Sequence, residues 1–185
     1  VVMGYEMLKA LRMQEDCEIH LVITQGAREN FKYETDMDIR QVTELADYCH
    51  DDKNMAASIS SGSFRTDGMI VIPCSMKTVS AIANGYGANL LVRAVDVCIK
   101  ESRRVVLVPR EMPLSRIHLD NLKKAADMAA KAGVTMGFET MENEFMNTVE
   151  KAMKYVTLVG SSYLNVYPDI GNITNAAHTY KTDVL

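Results

Sequence analysis

Apolar residues in the stretch 1–13 recur every three to four positions, through Tyr5, Leu8 and Leu11, which predicts an amphipathic helix. Residues 18–24 then alternate and run apolar (Ile19, Leu21, Val22, Ile23), predicting a strand that ends at Thr24-Gln25-Gly26. Asp38 stands where it can cap a helix over 39–49, and the polar run 50–60 reads as a connecting loop. The short apolar run 69–72 is consistent with a strand buried on both faces. It stops at Pro73 and gives way to Cys74-Ser75-Met76-Lys77-Thr78, which reads as a helix start. That helix runs to Ala83 and breaks at Asn84-Gly85; a second helix covers 88–100 with Leu91 and Val95 inward. The pattern then repeats. Residues 105–108 form a strand with the exit Pro109-Arg110-Glu111-Met112-Pro113. Ser115 caps a helix over 115–131 that Gly133 ends, and 134–138 is a strand. A helix over 143–157, with Phe145, Val149, Met153 and Val156 on one side, and a strand over 163–167 follow.

Strands alternating with helices predict an α/β fold with a doubly wound parallel sheet of the Rossmann or flavodoxin-like kind. In such a sheet the strand exits share one edge, and ligands bind there. The exits at 74–78 and 109–113 are polar and suited to anions. A helix start offers free N–H groups and the positive end of the helix dipole, and Ser75 and Thr78 add hydroxyls. Arg110 directly follows a buried strand, where a guanidinium can fork onto a phosphate.

Composition narrows the picture. The chain has 185 residues, 48% of them hydrophobic, enough to bury a core, and one domain is the simplest reading. A net charge of −4 leaves no basic footprint, so nucleic acid is not expected as a partner. Cys17, Cys49, Cys74 and Cys98 are scattered, with no CxxC pair and no histidine at zinc-finger spacing, which points to reduced thiols. No apolar run approaches the roughly 20 residues that cross a bilayer, and no signal sequence is evident, so no membrane partner and a cytoplasmic location are expected. On residue context alone, Glu34 reads as a solvated acid, Lys100 as either a helix-end lysine or a phosphate contact, Arg93 and Asp96 as a surface pair, and His118 as a packed, hydrogen-bonded histidine.

The runs SGSFRTDGMIVIPCSMKT and VPREMPLSRIHLDN resemble the flavin prenyltransferases of the UbiX type, including the small subunits named for hydroxyarylic acid decarboxylases. The resemblance covers about residues 1–128. It lacks the family's beginning, a first strand and a loop of the GxTGAxG kind, so the fold is expected to lack its first strand. It implies FMN as cofactor, touched by Thr24, Ser75, Met76, Lys77, Thr78 and Arg110. It implies acid-base roles for Glu34 and Glu111, and a contact of Lys100 with the phosphate of dimethylallyl phosphate. The implied reaction alkylates reduced FMN at N5 and closes a ring at C6, without a metal. The product, prenylated FMN, serves a partner decarboxylase. The resemblance also implies a homo-oligomer, which a methionine-rich surface (Met3, Met7, Met55, Met112) would suit.

From about Leu122 the run NLKKAADMAAKAGVTMGFETMENEFMNTVEKAMKYVTLVGSSYLNVYPDIGN is similar to the hexulose- and pentulose-phosphate 3-epimerases, which are (β/α)₈ barrels. That resemblance implies that Glu139 and Asp169 are two ligands of one divalent metal, and His178 lies outside its motif. Two carboxylates are fewer than the ligands such a site needs, and two βα units cannot close a barrel. The expectation is a chimera: residues 1–128 a prenyltransferase-like domain and 129–185 a βα fragment of TIM-barrel type. A metal-dependent ketose-phosphate epimerase, or a fusion product without turnover, stands as the alternative function.

Overall fold

The computed structural model describes residues 1–111, 113–133, 135–141 and 144–181. The chain divides into two compact units: Val1–Arg65 with Gly87–Val97, and Thr66–Tyr86 with Cys98–Leu185.

In the first unit, helix α1 (Val2–Arg12) leads to strand β1 (His20–Val22), helix α2 (Gln25–Glu34), the short helix α3 (Ile39–Thr43) and strand β2 (Tyr48–His50). Strands β1 and β2 pair in parallel, with His20 opposite Tyr48 and Val22 opposite His50. Leu8, Ile19, Phe31 and Val42 form the buried cluster that joins α1, α2 and α3 to this ladder, which is where the three-to-four spacing of α1 is spent. Thr24 caps α2, its hydroxyl accepting from the Ala27 N–H at 3.2 Å. Asp38 caps α3 in a reciprocal box with Gln41, but the helix stops after Thr43 rather than running on to Cys49. The reason lies in Asp47, whose carboxylate accepts from the Ile19 N–H at 2.8 Å and pairs with Arg12 at 2.8 Å. These bonds turn the chain out of the helix and lay Tyr48–His50 beside β1. A one-turn 3-10 helix covers Ser58–Ser60.

Helix α5 (Leu90–Lys100) begins in the first unit and ends in the second. At its start Asp52 receives the Leu90 N–H on its carbonyl at 2.8 Å, and the Asn89 side-chain amide on its carboxylate at 2.9 Å. Arg93 and Asp96 form the expected pair at 2.9 Å.

The second unit holds a four-stranded parallel sheet in the order β3 (Gly68–Cys74), β4 (Arg104–Pro109), β5 (Thr135–Glu139), β6 (Leu164–Tyr167). Helix α4 (Met76–Ala83) follows β3, α6 (Arg116–Ala132) links β4 to β5, α7 (Val149–Val159) links β5 to β6, and α8 (Ile170–Tyr180) follows β6. The core is the sheet's interior and the helix faces against it: Val71, Val79, Val105, Leu107, Leu122, Ala126, Met136, Phe138 and Leu164. Register between β3 and β4 shifts between Val71 and Cys74, where Pro73 brings no N–H to the ladder. Ser115 caps α6 in a box with His118, whose Nδ1 accepts from the Ser115 N–H at 3.4 Å, so His118 is a hydrogen-bonded capping residue. Gly133 and Gly160 end α6 and α7 in the left-handed conformation that favours glycine.

Two expected starts, Val134 of a strand and Asn143 of a helix, lie outside the described residues, as does Met112. The described part of the second helix begins at Val149 and runs past Thr157 to Val159. The expected TIM-barrel fragment is not confirmed, since its strands belong to the same sheet as β3 and β4. Through β6 each strand pairs in parallel with its predecessor in one sheet that begins at β3, so β5, α7, β6 and α8 extend the parallel α/β sheet of this unit. Among the described residues no helix is long and apolar enough to cross a membrane.

Candidate functional site

The site residues of the second unit lie where its parallel strands end. Ser75 follows β3 and caps α4: its hydroxyl accepts from the Thr78 N–H at 3.3 Å and lies 3.1 Å from the Thr78 hydroxyl. Arg110 follows β4, and its backbone N–H donates to the Cys74 carbonyl at 2.9 Å. That bond brings the hydroxyl-bearing and the guanidinium-bearing exits side by side. Glu111 reaches across them: its Oε2 accepts from the Met76 N–H at 3.2 Å. The start of α4 therefore already holds an anionic oxygen on a backbone N–H, and Glu111 itself is exposed. An N-terminus that engages a carboxylate in this way fits a phosphate oxygen equally well. Lys77 is exposed in the first turn of α4, and Met76 is buried beneath it.

Further along the same edge the chemistry turns acidic. Glu139 ends β5 and is 5% exposed. Its Oε1 accepts from the Asn172 side-chain amide at 3.2 Å, whereas its Oε2, also buried, has no hydrogen-bond partner among the described residues. Burial pushes the Glu139 carboxyl up to about 7, helped by the neighbouring charge of Asp169; the Arg110 guanidinium and Asn172 work in the opposite direction. Asp169 caps α8, accepting the Asn172 N–H at 2.9 Å, and its own N–H donates to the Thr140 hydroxyl at 2.8 Å. The Asn172 amide also donates to the Thr140 carbonyl at 2.9 Å. Glu139 and Asp169, expected as a metal pair under the epimerase resemblance, thus serve a hydrogen-bonded junction between the ends of β5 and β6 and the start of α8. Among the described residues no group of three or more histidine, cysteine, aspartate or glutamate side chains is arranged to hold a metal.

From the sequence, Glu139 figured only as half of an incomplete metal pair under the epimerase resemblance, and Thr140 and Asn172 were missed. The available signal was the run Met136-Gly137-Phe138-Glu139, a carboxylate placed directly at the end of a buried strand.

Of the other expected site residues, Thr24 and Glu34 belong to the first unit. Thr24 stands at the exit of β1 with its hydroxyl on the α2 cap. Glu34 closes α2, exposed, and its carboxylate lies 2.9 Å from the amino group of Val1. Lys100 is exposed in the last turn of α5, in the second unit.

The sequence pattern of the flavoprotein family matches residues 1–159. A probable UbiX-like flavin prenyltransferase of Sedimentibacter hydroxybenzoicus is 62% identical over 128 residues, 69% of this chain and 68% of that protein. The chain spans a smaller share, 61%, of the Escherichia coli O157:H7 relative. Among solved structures, the dodecameric FMN-dependent UbiX-like decarboxylase from Escherichia coli O157:H7 is similar with a TM-score of 0.71 and 39% identity, over 98% of this chain and 88% of that one. AnUbiX (PadA1), solved in complex with FMN and dimethylallyl pyrophosphate, is similar with a TM-score of 0.67 and 49% identity, over 73% of this chain and 69% of that one. The family match runs well past Leu122 and the first structural likeness takes in nearly the whole chain, so the expected epimerase segment gains no support. The chain belongs to the flavoprotein family, among the UbiX-like flavin prenyltransferases.

Proposed function

We propose that this chain is a flavin prenyltransferase: it binds reduced FMN at the strand exits bearing Ser75 and Arg110 and joins to it the dimethylallyl group of dimethylallyl phosphate. The observation that carries the reading is the bond from the Arg110 N–H to the Cys74 carbonyl, which sets the arginine-bearing exit of β4 beside a capped helix start. Bound there, reduced FMN supplies the N5 and C6 positions that take up the dimethylallyl carbons while phosphate leaves. The chain's part is electrostatic and acid-base. Arg110, the Ser75 and Thr78 hydroxyls and the N–H groups of Met76 and Lys77 hold anionic oxygens and stabilise charge on the departing phosphate. Glu111 sits on the Met76 N–H and swings off it as an anion arrives, which frees its carboxylate to hold a proton. Thr24 is assigned to the flavin, Glu34 to a second proton-holding role, and Lys100 to the substrate phosphate.

AnUbiX was solved with both FMN and dimethylallyl pyrophosphate, and a relative from Lactiplantibacillus plantarum, 48% identical, is named flavin prenyltransferase LpdB. We infer the same ligand class here and, as product acceptor, a decarboxylase that uses prenylated FMN. A homo-oligomer and a cytoplasmic location are inferred too, the latter supported by four free thiols. The change of resemblance near residue 128 is inferred to be a change of sequence character, since β5 beyond it hydrogen-bonds to β4 before it.

The test is a titration with FMN followed by flavin fluorescence, then dimethylallyl phosphate under reducing conditions with mass analysis of the released flavin. The expected result is saturable binding and a flavin heavier by one isoprene unit. A flavin that binds and is never alkylated overturns the catalytic reading, and no binding overturns both parts.

A further inference from the structure

At the start of the β1–β2 ladder, Glu18 just before β1 and His20 and His50 within it are three ionisable side chains in a row that the proposed flavin chemistry leaves unused. His20 lies opposite Tyr48, and His50, two residues beyond Tyr48, points to the same face. Nδ1 of His20 is 3.0 Å from Nε2 of His50, and Nε2 of His20 is 2.8 Å from Oε1 of Glu18. The imidazole centroids are 5.2 Å apart with planes within 16°. With the facing nitrogens only 3.0 Å apart, that separation sets the rings end to end in nearly one plane, the arrangement of a hydrogen bond along the line of two nitrogens rather than of a face-to-face stack. Rings of Tyr48 at 4.7 Å and Phe64 at 5.1 Å cover His20.

The protons can be counted from these contacts. A carboxylate only accepts, so Nε2 of His20 carries a proton toward Glu18. With His20 neutral, its Nδ1 accepts from the Nε2–H of His50. With His20 charged, its Nδ1–H donates to a bare Nε2 of His50. Either way one proton lies between the rings. Charging both rings would face two N–H donors at 3.0 Å and place two cations side by side, which a half-buried pair does not sustain.

We propose that Glu18, His20 and His50 form a proton-operated clasp that ties β1 to β2 while the imidazole pair carries at most one extra proton, and lets go when a second arrives. Glu18, before β1, accepts from Nε2 of His20 at 2.8 Å. At the foot of β2, Asp47 is already paired with Arg12 and bound to the Ile19 N–H, so it offers the second proton little. Tyr48 and Phe64 add no charge at these pH values. Burial, and after it the charge of His20, hold His50 below the usual imidazole range. A base with a depressed folded-state pKa contributes stability above its unfolded value, about 6.5, and loses it as pH falls through the folded value. The segment released is the one that runs from β1 into Thr24.

The experiment is a nitrogen NMR titration of the histidine side chains from pH 8 to 5, with hydrogen exchange of the amides of residues 20–22 and 48–50 followed in parallel. We expect two separated proton uptakes. Between pH 7.5 and 5, protection corrected for intrinsic exchange should fall roughly tenfold or more, about the 1.4 kcal/mol of one decade. His50→Gln keeps a donor for His20 and cannot titrate, so its protection is expected to stay flat with pH. Independent titration of the two rings at one midpoint, unchanged protection in the unmodified chain, or the same acid loss in His50→Gln overturns the clasp. The unmodified titration decides alone if the variant does not fold.

Discussion

At the scale of single residues, burial sets the chemistry more than the identity of the side chain does. Glu139 and Glu111 are both carboxylates at strand exits on one sheet edge. Glu111 is exposed and hydrogen-bonded to a backbone N–H, while Glu139 is buried beside Asp169 with one oxygen unpartnered. Because the folded-state pKa of Glu139 is raised to about 7, the folded chain takes up its proton more readily than the unfolded chain does. Its contribution is therefore fully present below the ordinary carboxylate value and is lost as pH rises through about 7. The difference amounts to roughly 3 kcal/mol at alkaline pH. Glu139→Gln keeps an oxygen to accept from Asn172 and removes the charge. Thermal unfolding should show the variant more stable than the parent at pH 8.5 and nearly equal to it at pH 5; equal melting at both values would sink this account. Cys74 shows the same effect without a neighbouring charge, burial pushing its thiol up to about 12. Cys49 is exposed. A thiol reagent at pH 8 is expected to label Cys49 in the native chain and to reach Cys74 only after denaturation.

At the scale of elements, the parts legible in the sequence were those whose signals are local. Ser75, Ser115 and Asp38 announce helix starts with their own side chains, Gly133 announces an end, and the apolar runs at β3 and β4 need only their own length. The parts that escaped depend on distant partners. Tyr48–His50 has no apolar run and becomes a strand because Asp47 bonds to Ile19 twenty-eight residues earlier in the chain and to Arg12. Helix α8 follows a strand of only four residues and is fixed by Asp169, Thr140 and Asn172, a set visible only once β5 and β6 are paired. The candidate site divides in the same way: its hydroxyls and guanidinium could be read from exit positions, the acidic junction could not. One glycine tests how tightly the elements meet. A Cβ at Gly68 would lie 2.7 Å from the Arg104 carbonyl oxygen, at the start of the β3–β4 ladder. Since backbone cannot give way there without disturbing the register, Gly68→Ala is expected to cost on the order of 1–3 kcal/mol. Gly87→Ala, with open space around its Cβ, is the control expected to change little in denaturant unfolding.

At the scale of the whole molecule, a ligand reports its site through global stability, because anything that binds the folded chain and not the unfolded one shifts the unfolding equilibrium. If FMN is held as proposed, supplying it at one hundred times its dissociation constant should stabilise the chain by about 2.7 kcal/mol. Arg110 is the residue on which that figure should turn. Its backbone is fixed by the bond to the Cys74 carbonyl, so a side-chain change at this position leaves the ladder intact. Arg110→Lys retains the charge and loses the planar fork that meets two oxygens at once. A tenfold loss of affinity follows if that fork engages the ligand, and at the same FMN concentration the stabilisation should then fall to about 1.4 kcal/mol. Thermal unfolding of parent and variant, each with and without FMN, separates the cases. Ligand-free melting should be alike, and the ligand-induced shift should roughly halve. A shift that survives the substitution unchanged would mean that the flavin is held elsewhere, and that the guanidinium at the end of β4 serves its neighbours in the sheet edge alone.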